Sequence, residues 1–262
     1  MRGKSIPLSP VRKLVVDLTR LHVPSVPVQR MVNVSELVTA RAAAGRPAWS
    51  AIFAKAFALV AEEIPILRRA YVKLPTAHLY EYPQSTVSMV VEREIDGEMV
   101  VLTLLIREPE KMGIGEISAT IREAKEKPIE SIKSFARMLS LARWPTPLRR
   151  LIWWLGLNIG RQRGNYFGTF GVSVYSNLGS ESLHPISPLT AVLNYGVISP
   201  DGMVAVRIMY DHRVLDGSMV ARTLEALDRK LNGPILDELR AMAASPALAK
   251  GATEKLPVGA PR

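Results

Sequence analysis

The hydrophobic pattern changes period near residue 212, and that change constrains what the last third of the chain can form. Thr190 to Ile198 reads as a buried strand, Pro200-Asp201-Gly202 as a turn, and Met203 to Tyr210 as a second strand. After Gly217 the apolar residues Val220, Leu224, Leu227 and Leu231 recur at helical spacing, and Asn232-Gly233-Pro234 closes that helix. A short helix to about Ala244 follows. His212 therefore sits between a strand end and a helix start, where the scaffold fixes a side chain while its tip stays accessible. An unperturbed pKa of about 6.5 suits histidine to acid/base work. Asp216 lies four residues on, and Gly217 adds backbone freedom. Taken alone, this pattern fits a surface histidine beside a helix cap better than a catalytic group.

Upstream, Ser35 is a candidate cap for a helix to about Ala44, closed by Gly45-Arg46-Pro47. A second helix starts near Ser50, with Phe53, Ala56, Phe57, Val60 and Ile64 on one buried face. Val87, Met89 and Val91 alternate as in a strand, Asp96-Gly97 is a hairpin turn, and Val100 to Ile106 returns. Ile114, Ile117, Ile121 and Ala124 describe a further helix, stopped by Pro128. Phe170, Val172 and Val174 alternate into Ser176-Asn177-Leu178-Gly179. Helices come early and late with strands between, which predicts an α+β fold whose mixed β-sheet is covered by helices on one side. No Gly/Ser-rich or charged linker divides the 262 residues, so one domain is expected.

Charge and cysteine content narrow the chemistry. The chain has no cysteine, which excludes disulfides, thiolate metal sites and a cysteine nucleophile, and suits a reducing, cytoplasmic compartment. His22, His78 and His184 are scattered without metal-ligand spacing, so no metal is expected. No apolar run reaches the ~18 residues of a membrane span, and no secretory signal opens the chain. The net charge of +10 calls for an anionic partner. The sequence carries no homeodomain, zinc-finger or RNA-recognition signature, so nucleic acid is not the expected one. No acidic residue occurs between Glu130 and Glu181, a stretch that holds Lys133, Arg137, Arg143, Arg149, Arg150, Arg161 and Arg163.

The string Tyr210-Asp211-His212-Arg213-Val214-Leu215-Asp216-Gly217 closely resembles the active-site signature of the dihydrolipoamide acyltransferases of 2-oxo acid dehydrogenase complexes. Their wider superfamily includes chloramphenicol acetyltransferase. Pro7-Leu8-Ser9-Pro10-Val11-Arg12-Lys13, Val32-Asn33-Val34-Ser35-Glu36-Leu37, Gly168-Thr169-Phe170 and Ser176-Asn177-Leu178-Gly179 resemble further family segments in the same order. The resemblance implies a chloramphenicol acetyltransferase-like fold and an acyltransferase using coenzyme A or acyl-CoA. His212 would be the general base, and a serine from the neighbouring subunit of a homotrimer the oxyanion donor. Ser176 matches that serine, and Ser173 is the alternative on the family's usual spacing. Asp216 would hold the histidine loop in shape by pairing with an arginine, for which Arg12 is the candidate.

The implied catalytic domain covers residues 6–244, with 1–5 a flexible start and 245–262 an Ala/Pro/Gly/Lys-rich tail expected to be disordered. No lipoyl domain precedes the match, so a stand-alone enzyme is expected, within reach of higher assembly or a lipoyl-bearing partner. Residues 131–167 depart from the family, which has a brief polar connection there. This segment holds three of the four tryptophans and mixes them with arginine and leucine. It suits an anionic membrane surface or lipid-like ligand, and equally a helical hairpin packed within a trimer. An auxiliary scaffold subunit and an interfacial lipid-binding protein stay open beside the enzyme.

Overall fold

A computed structural model describes residues 3–7, 25–95, 97–174, 182–185 and 187–245. Among them, nine strands form two sheets. The larger has the order β2-β9-β8-β7-β5-β6, built from β2 (Ser25–Asn33), β5 (Thr86–Ile95), β6 (Glu98–Arg107), β7 (Phe170–Val172), β8 (Ala191–Tyr195) and β9 (Met203–Asp211). β7 runs parallel to both β5 and β8, and the other pairings are antiparallel, so the sheet is mixed as expected. A small antiparallel sheet, β1-β4-β3, joins β1 (Lys4–Pro7), β4 (His78–Glu81) and β3 (Arg69–Val72). Lys4 and Ser5, read from sequence as part of a flexible start, thus form the first half of a strand.

Five helices line one face of the large sheet: α1 (Ser35–Ala43), α2 (Trp49–Glu63), α3 (Ile114–Glu126), α7 (Gly217–Lys230) and α8 (Leu236–Ala244). Alternation along the strands explains the division of faces. Val87, Met89 and Val91 of β5 and Val204, Val206 and Ile208 of β9 point into the helical layer, where all are buried. α2 is the centre of that core. Its small residues Ala51, Ala54, Ala58 and Ala61 are buried and allow close approach, while Phe53 stacks on Tyr195 at 4.0 Å and Phe57 meets Phe170 at 4.7 Å. Truncating either phenylalanine would cost about 3–5 kcal/mol. α1 starts differently from the sequence expectation. Ser35 is its first helical residue rather than its cap, and the Asn33 carboxamide oxygen accepts the Ser35 N–H at 2.9 Å.

The segment from 131 to 167 is helical, as its composition suggests, and adds α4 (Lys133–Ala142), α5 (Thr146–Asn158) and α6 (Gly160–Tyr166) on the side of the sheet opposite the five helices. α4 lies along the edge strand β6, where the Thr103 N–H points at the Met138 sulfur at 3.3 Å and the open edge is covered. The far end is anchored on the small sheet. A Cβ on Gly160 would sit 2.2 Å from the Tyr80 ring, and the Tyr82 hydroxyl donates to the Gly160 carbonyl at 2.9 Å.

Candidate active site

β9 ends at Asp211 and α7 begins at Gly217, so His212 falls in the turn predicted for it. The turn closes on Asp211. Its carbonyl accepts the N–H groups of Val214 at 2.9 Å and Leu215 at 3.0 Å, and both apolar side chains are fully buried. Its carboxylate accepts the Arg213 N–H at 3.0 Å and grips the Arg213 guanidinium at 2.8 and 2.6 Å, a bidentate pair. The Asp211 side chain is 7% exposed and that of Arg213 25%. Burial lowers the Arg213 pKa, but the hydrogen bond and charge of Asp211 outweigh it and the net shift is upward.

This ion pair continues inward. The Arg213 guanidinium lies 4.6 Å over the Tyr71 ring, and the Tyr71 carbonyl accepts from Arg163 at 2.6 Å. Arg163, on α6, also donates to the Pro188 carbonyl. Burial lowers the Arg163 pKa, while Tyr82 and Asp211 raise it and Arg213 lowers it further. Asp211, Arg213, Tyr71 and Arg163 thus tie the His212 turn to β3 and to the 131–167 segment. None of the four was singled out from the sequence. Asp211 and Arg213 flank the histidine within its own motif, which is a readable signal. Tyr71 and Arg163 stand 92 residues apart and carry none.

His212 itself is half-exposed, with its ring tilted over the buried Tyr210 ring at 5.6 Å. Its Nδ1 is buried and lies 3.5 Å from a carboxylate oxygen of Asp216; that separation makes an ion contact when the ring is protonated but exceeds a normal hydrogen bond. The 37% exposure of the side chain is carried by the ring's other atoms. Burial raises the Tyr210 pKa, and the Asp216 charge adds to the rise. Asp216 caps α7 by position, its carbonyl accepting from Met219 and Val220 at 3.0 and 3.1 Å. His184, expected as one of the scattered histidines, contacts Ser25 at 2.9 Å, and Ser25 pairs with Asp211 across β2 and β9. His78 is buried in β4, and His22 lies outside the described residues.

The two candidate serines follow β7. Gly168-Thr169 locks that strand in place. Gly168 has φ +86°, and a Cβ there would lie 2.8 Å from the Thr86 carbonyl. The Thr169 hydroxyl accepts the Thr86 N–H at 2.9 Å and donates to the Thr86 carbonyl at 3.2 Å, extending the pairing of β7 with β5. Ser173 is buried at the far end of this strand, on the face away from the five helices. Its carbonyl accepts from Asn194 at 2.6 Å, Asn194 meets Arg207 at 3.5 Å, and Arg207 donates to Gln29 at 2.5 Å. This row aligns Ser173 with Arg207, two strands over. Asp211 lies four residues further along β9, about 14 Å at ~3.4 Å per residue. The structure therefore does not bring Ser173 and His212 together within one chain. Ser176 and Arg12 lie outside the described residues. Among those residues, no three His, Asp or Glu side chains cluster as metal ligands, and no helix is long and apolar enough to cross a membrane.

With the architecture in hand, the class it defines is the α+β fold of dihydrolipoamide acyltransferase catalytic cores. Three solved structures carry this assignment. The truncated catalytic core of the 2-oxoacid dehydrogenase multienzyme complex from Thermoplasma acidophilum matches with TM-score 0.58 at 17% identity, over 88% of this chain and 99% of that one. The Azotobacter vinelandii dihydrolipoamide acetyltransferase, studied for a serine, a histidine and an asparagine in its catalytic mechanism, matches with TM-score 0.57 at 19% identity, over 91% and 93%. A probable dihydrolipoamide acetyltransferase from Listeria monocytogenes 4b F2365 matches with TM-score 0.54 at 20% identity, over 87% and 94%. No family model matches the sequence, and no curated protein does. At these identities the likeness defines the fold alone.

Proposed function

We propose that this protein is a CoA-dependent acyltransferase in which His212 is the general base. The observation that carries this reading is the mounting of His212: a half-exposed imidazole flanked by the bidentate Asp211–Arg213 pair, with Nδ1 turned inward. Taking a charge pair out of water is costly, and here the pair braces the turn that presents the His212 ring. The imidazole takes the proton of a thiol, amine or hydroxyl acceptor as that atom attacks the thioester carbon. The carbonyl oxygen becomes an oxyanion, stabilised by a hydroxyl donor. Collapse breaks the carbon–sulfur bond, and the proton passes from the imidazolium to the departing CoA thiolate. The Azotobacter enzyme was studied for a histidine and an asparagine four positions apart, the spacing of His212 and Asp216 here, which favours the same framework. The distance of 3.5 Å between Nδ1 and Asp216 supports a positioning role for that carboxylate, with Arg12 as its proposed partner.

Ser176 is the proposed oxyanion donor and Ser173 the alternative. Ser173 aligns with Arg207 two strands over, out of reach of His212 in its own chain, and the proposed site is completed by a serine from a neighbouring copy. This supports a homotrimer with shared sites. A second reading, a non-catalytic core subunit, draws on the Thermoplasma structure, which is the core of a multienzyme complex. Mass spectrometry of acyl-CoA consumption, with thiol acceptors including dihydrolipoamide and with amine and alcohol acceptors, separates the two. Turnover by the wild type that vanishes in His212→Ala supports the enzyme. No turnover with any acceptor, by a protein that assembles with dehydrogenase components, supports the scaffold.

A further inference from the structure

α5 poses a physical problem. Its thirteen residues, Thr146–Asn158, include Leu148, Leu151, Ile152, Trp153, Trp154, Leu155 and Leu157, yet none of the thirteen is buried. Ile152, Trp153 and Leu155 border a gap. A cavity of about 480 Å³ lies between α4, α5, α6 and the outer face of β6, walled by Leu105, Leu141, Ile152, Leu155 and Ile159 among others. That volume falls within the roughly 300–1,000 Å³ of small-molecule sites. A second cavity, of about 220 Å³, shares Thr103, Met138, Trp153, Tyr166 and Phe167 with the first and continues to Gly171 and Ser173. The two adjoin across these five side chains, the second reaching Ser173 and the first Trp144 and Leu141.

The lining states what fits. Apolar side chains dominate, and among the described residues no acidic group lines either part. Water gains little in such a space, because it needs two to four polar partners. Arg137 stands at the wall with its guanidinium 5.6 Å from the Tyr166 ring, the one lining cation among the described residues. A flat membrane surface would meet only the outward side chains of α5. The two cavities instead extend from α5 to Ser173, at the end of β7.

We propose that the two cavities join as one channel that holds the aliphatic chain of a medium- to long-chain acyl thioester, with the acyl carbonyl at the Ser173 end; this rests on the acyltransferase reading above. Leu, Ile and Trp of the 131–167 segment are then the wall of an acyl site that completes its burial when the ligand enters. Burial of each methylene strengthens binding by up to about fourfold until the channel is full.

The test is calorimetric binding of an acetyl- to decanoyl-CoA series to full-length His212→Ala protein without acceptor, so that binding is read apart from turnover. The expected result is affinity that climbs with chain length. Ile152→Trp, which fills the channel, should collapse the decanoyl-to-acetyl ratio toward one, as should Leu141→Trp from the opposite wall. Leu151→Ser, exposed and off the lining, should keep the ratio. A flat series for the unfilled channel overturns the proposal, and a flat series with flotation on anionic vesicles replaces it with a membrane surface. A steep series in a protein that transfers no acyl group to any acceptor leaves the channel standing and refutes the catalytic reading instead.

Discussion

The turn at 211–217 and the segment at 131–167 solve opposite problems with opposite means. The turn is polar and its charge is buried: Asp211 and Arg213 are matched atom for atom, and Val214 and Leu215 beneath them have no exposed surface. The segment is apolar and its side chains are open: Trp144, Leu148, Leu151, Trp153 and Trp154 are all 40% exposed or more. In the first, desolvated charge holds one side chain in one place. In the second, Trp144 and Trp153 border a cavity, and Leu148, Leu151 and Trp154 lie off its lining. The contrast teaches that satisfied packing marks where a protein fixes a group, and withheld packing where it admits one.

Removing Asp211 should break the first half of that contrast with the largest effect. Asp211→Ala leaves the Arg213 guanidinium half-buried without its carboxylate, and loss of one partner of a buried pair costs about 3–5 kcal/mol. Denaturant unfolding should register that loss, with acyl transfer falling alongside as the turn loosens. An unchanged stability would mean that the pair is ornamental to the turn. Ser176→Ala should lower the rate by about 10²–10³ with little change in stability, as for loss of one oxyanion donor. If Ser173→Ala is the damaging change and Ser176→Ala is silent, the donor is Ser173.

Asp216→Asn should lower melting temperature and activity together, since its proposed role is to hold the loop. Full loss of activity at an unchanged melting temperature would assign it to proton transfer. On the open side of the comparison, Leu148→Ser should shift stability by no more than about 0.5 kcal/mol, because Leu148 is already 40% exposed. A larger loss would show α5 to be core.

The smallest effect compares two carboxylates. Asp211 is buried with a guanidinium, whereas Glu110 has one buried oxygen without a hydrogen-bond partner. Burial raises the Glu110 pKa, against lowering hydrogen bonds from backbone amides. The folded state therefore holds the Glu110 proton more tightly than the unfolded state. That contribution is present at low pH and is lost as pH rises through the folded pKa. Glu110→Gln should raise the melting temperature slightly at neutral pH, and the gain should vanish near pH ~4. A gain equal at both pH values would point to packing rather than charge.

The His212 turn was legible because its signals are local: a strand period, a turn and a helix period within thirty residues of chain. Strands β5 to β9 and the apolar faces of α2, α3 and α7 were legible for the same reason, whereas β1, β3 and β4 are four residues each, too short to show a period. The cap of α1 was not legible because Val34, a residue with no capping side chain, holds that position, and the Asn33 oxygen takes the Ser35 N–H instead. The 131–167 segment was legible as helical, basic and unusual. Its channel was not, because a cavity is the space between elements and no residue encodes it. Arg163 was hidden for a related reason: one of six arginines in an acid-free stretch, distinguished only by being buried against Tyr71 and Pro188.

The central claim is that His212 carries the proton in acyl transfer. The most direct measurement is single-turnover acyl transfer by His212→Ala, with and without added imidazole. The account predicts a loss of about 10²–10⁴ at an unchanged melting temperature, regained in part as imidazole concentration rises. A His212→Ala protein that transfers acyl groups at the wild-type rate without imidazole would contradict it.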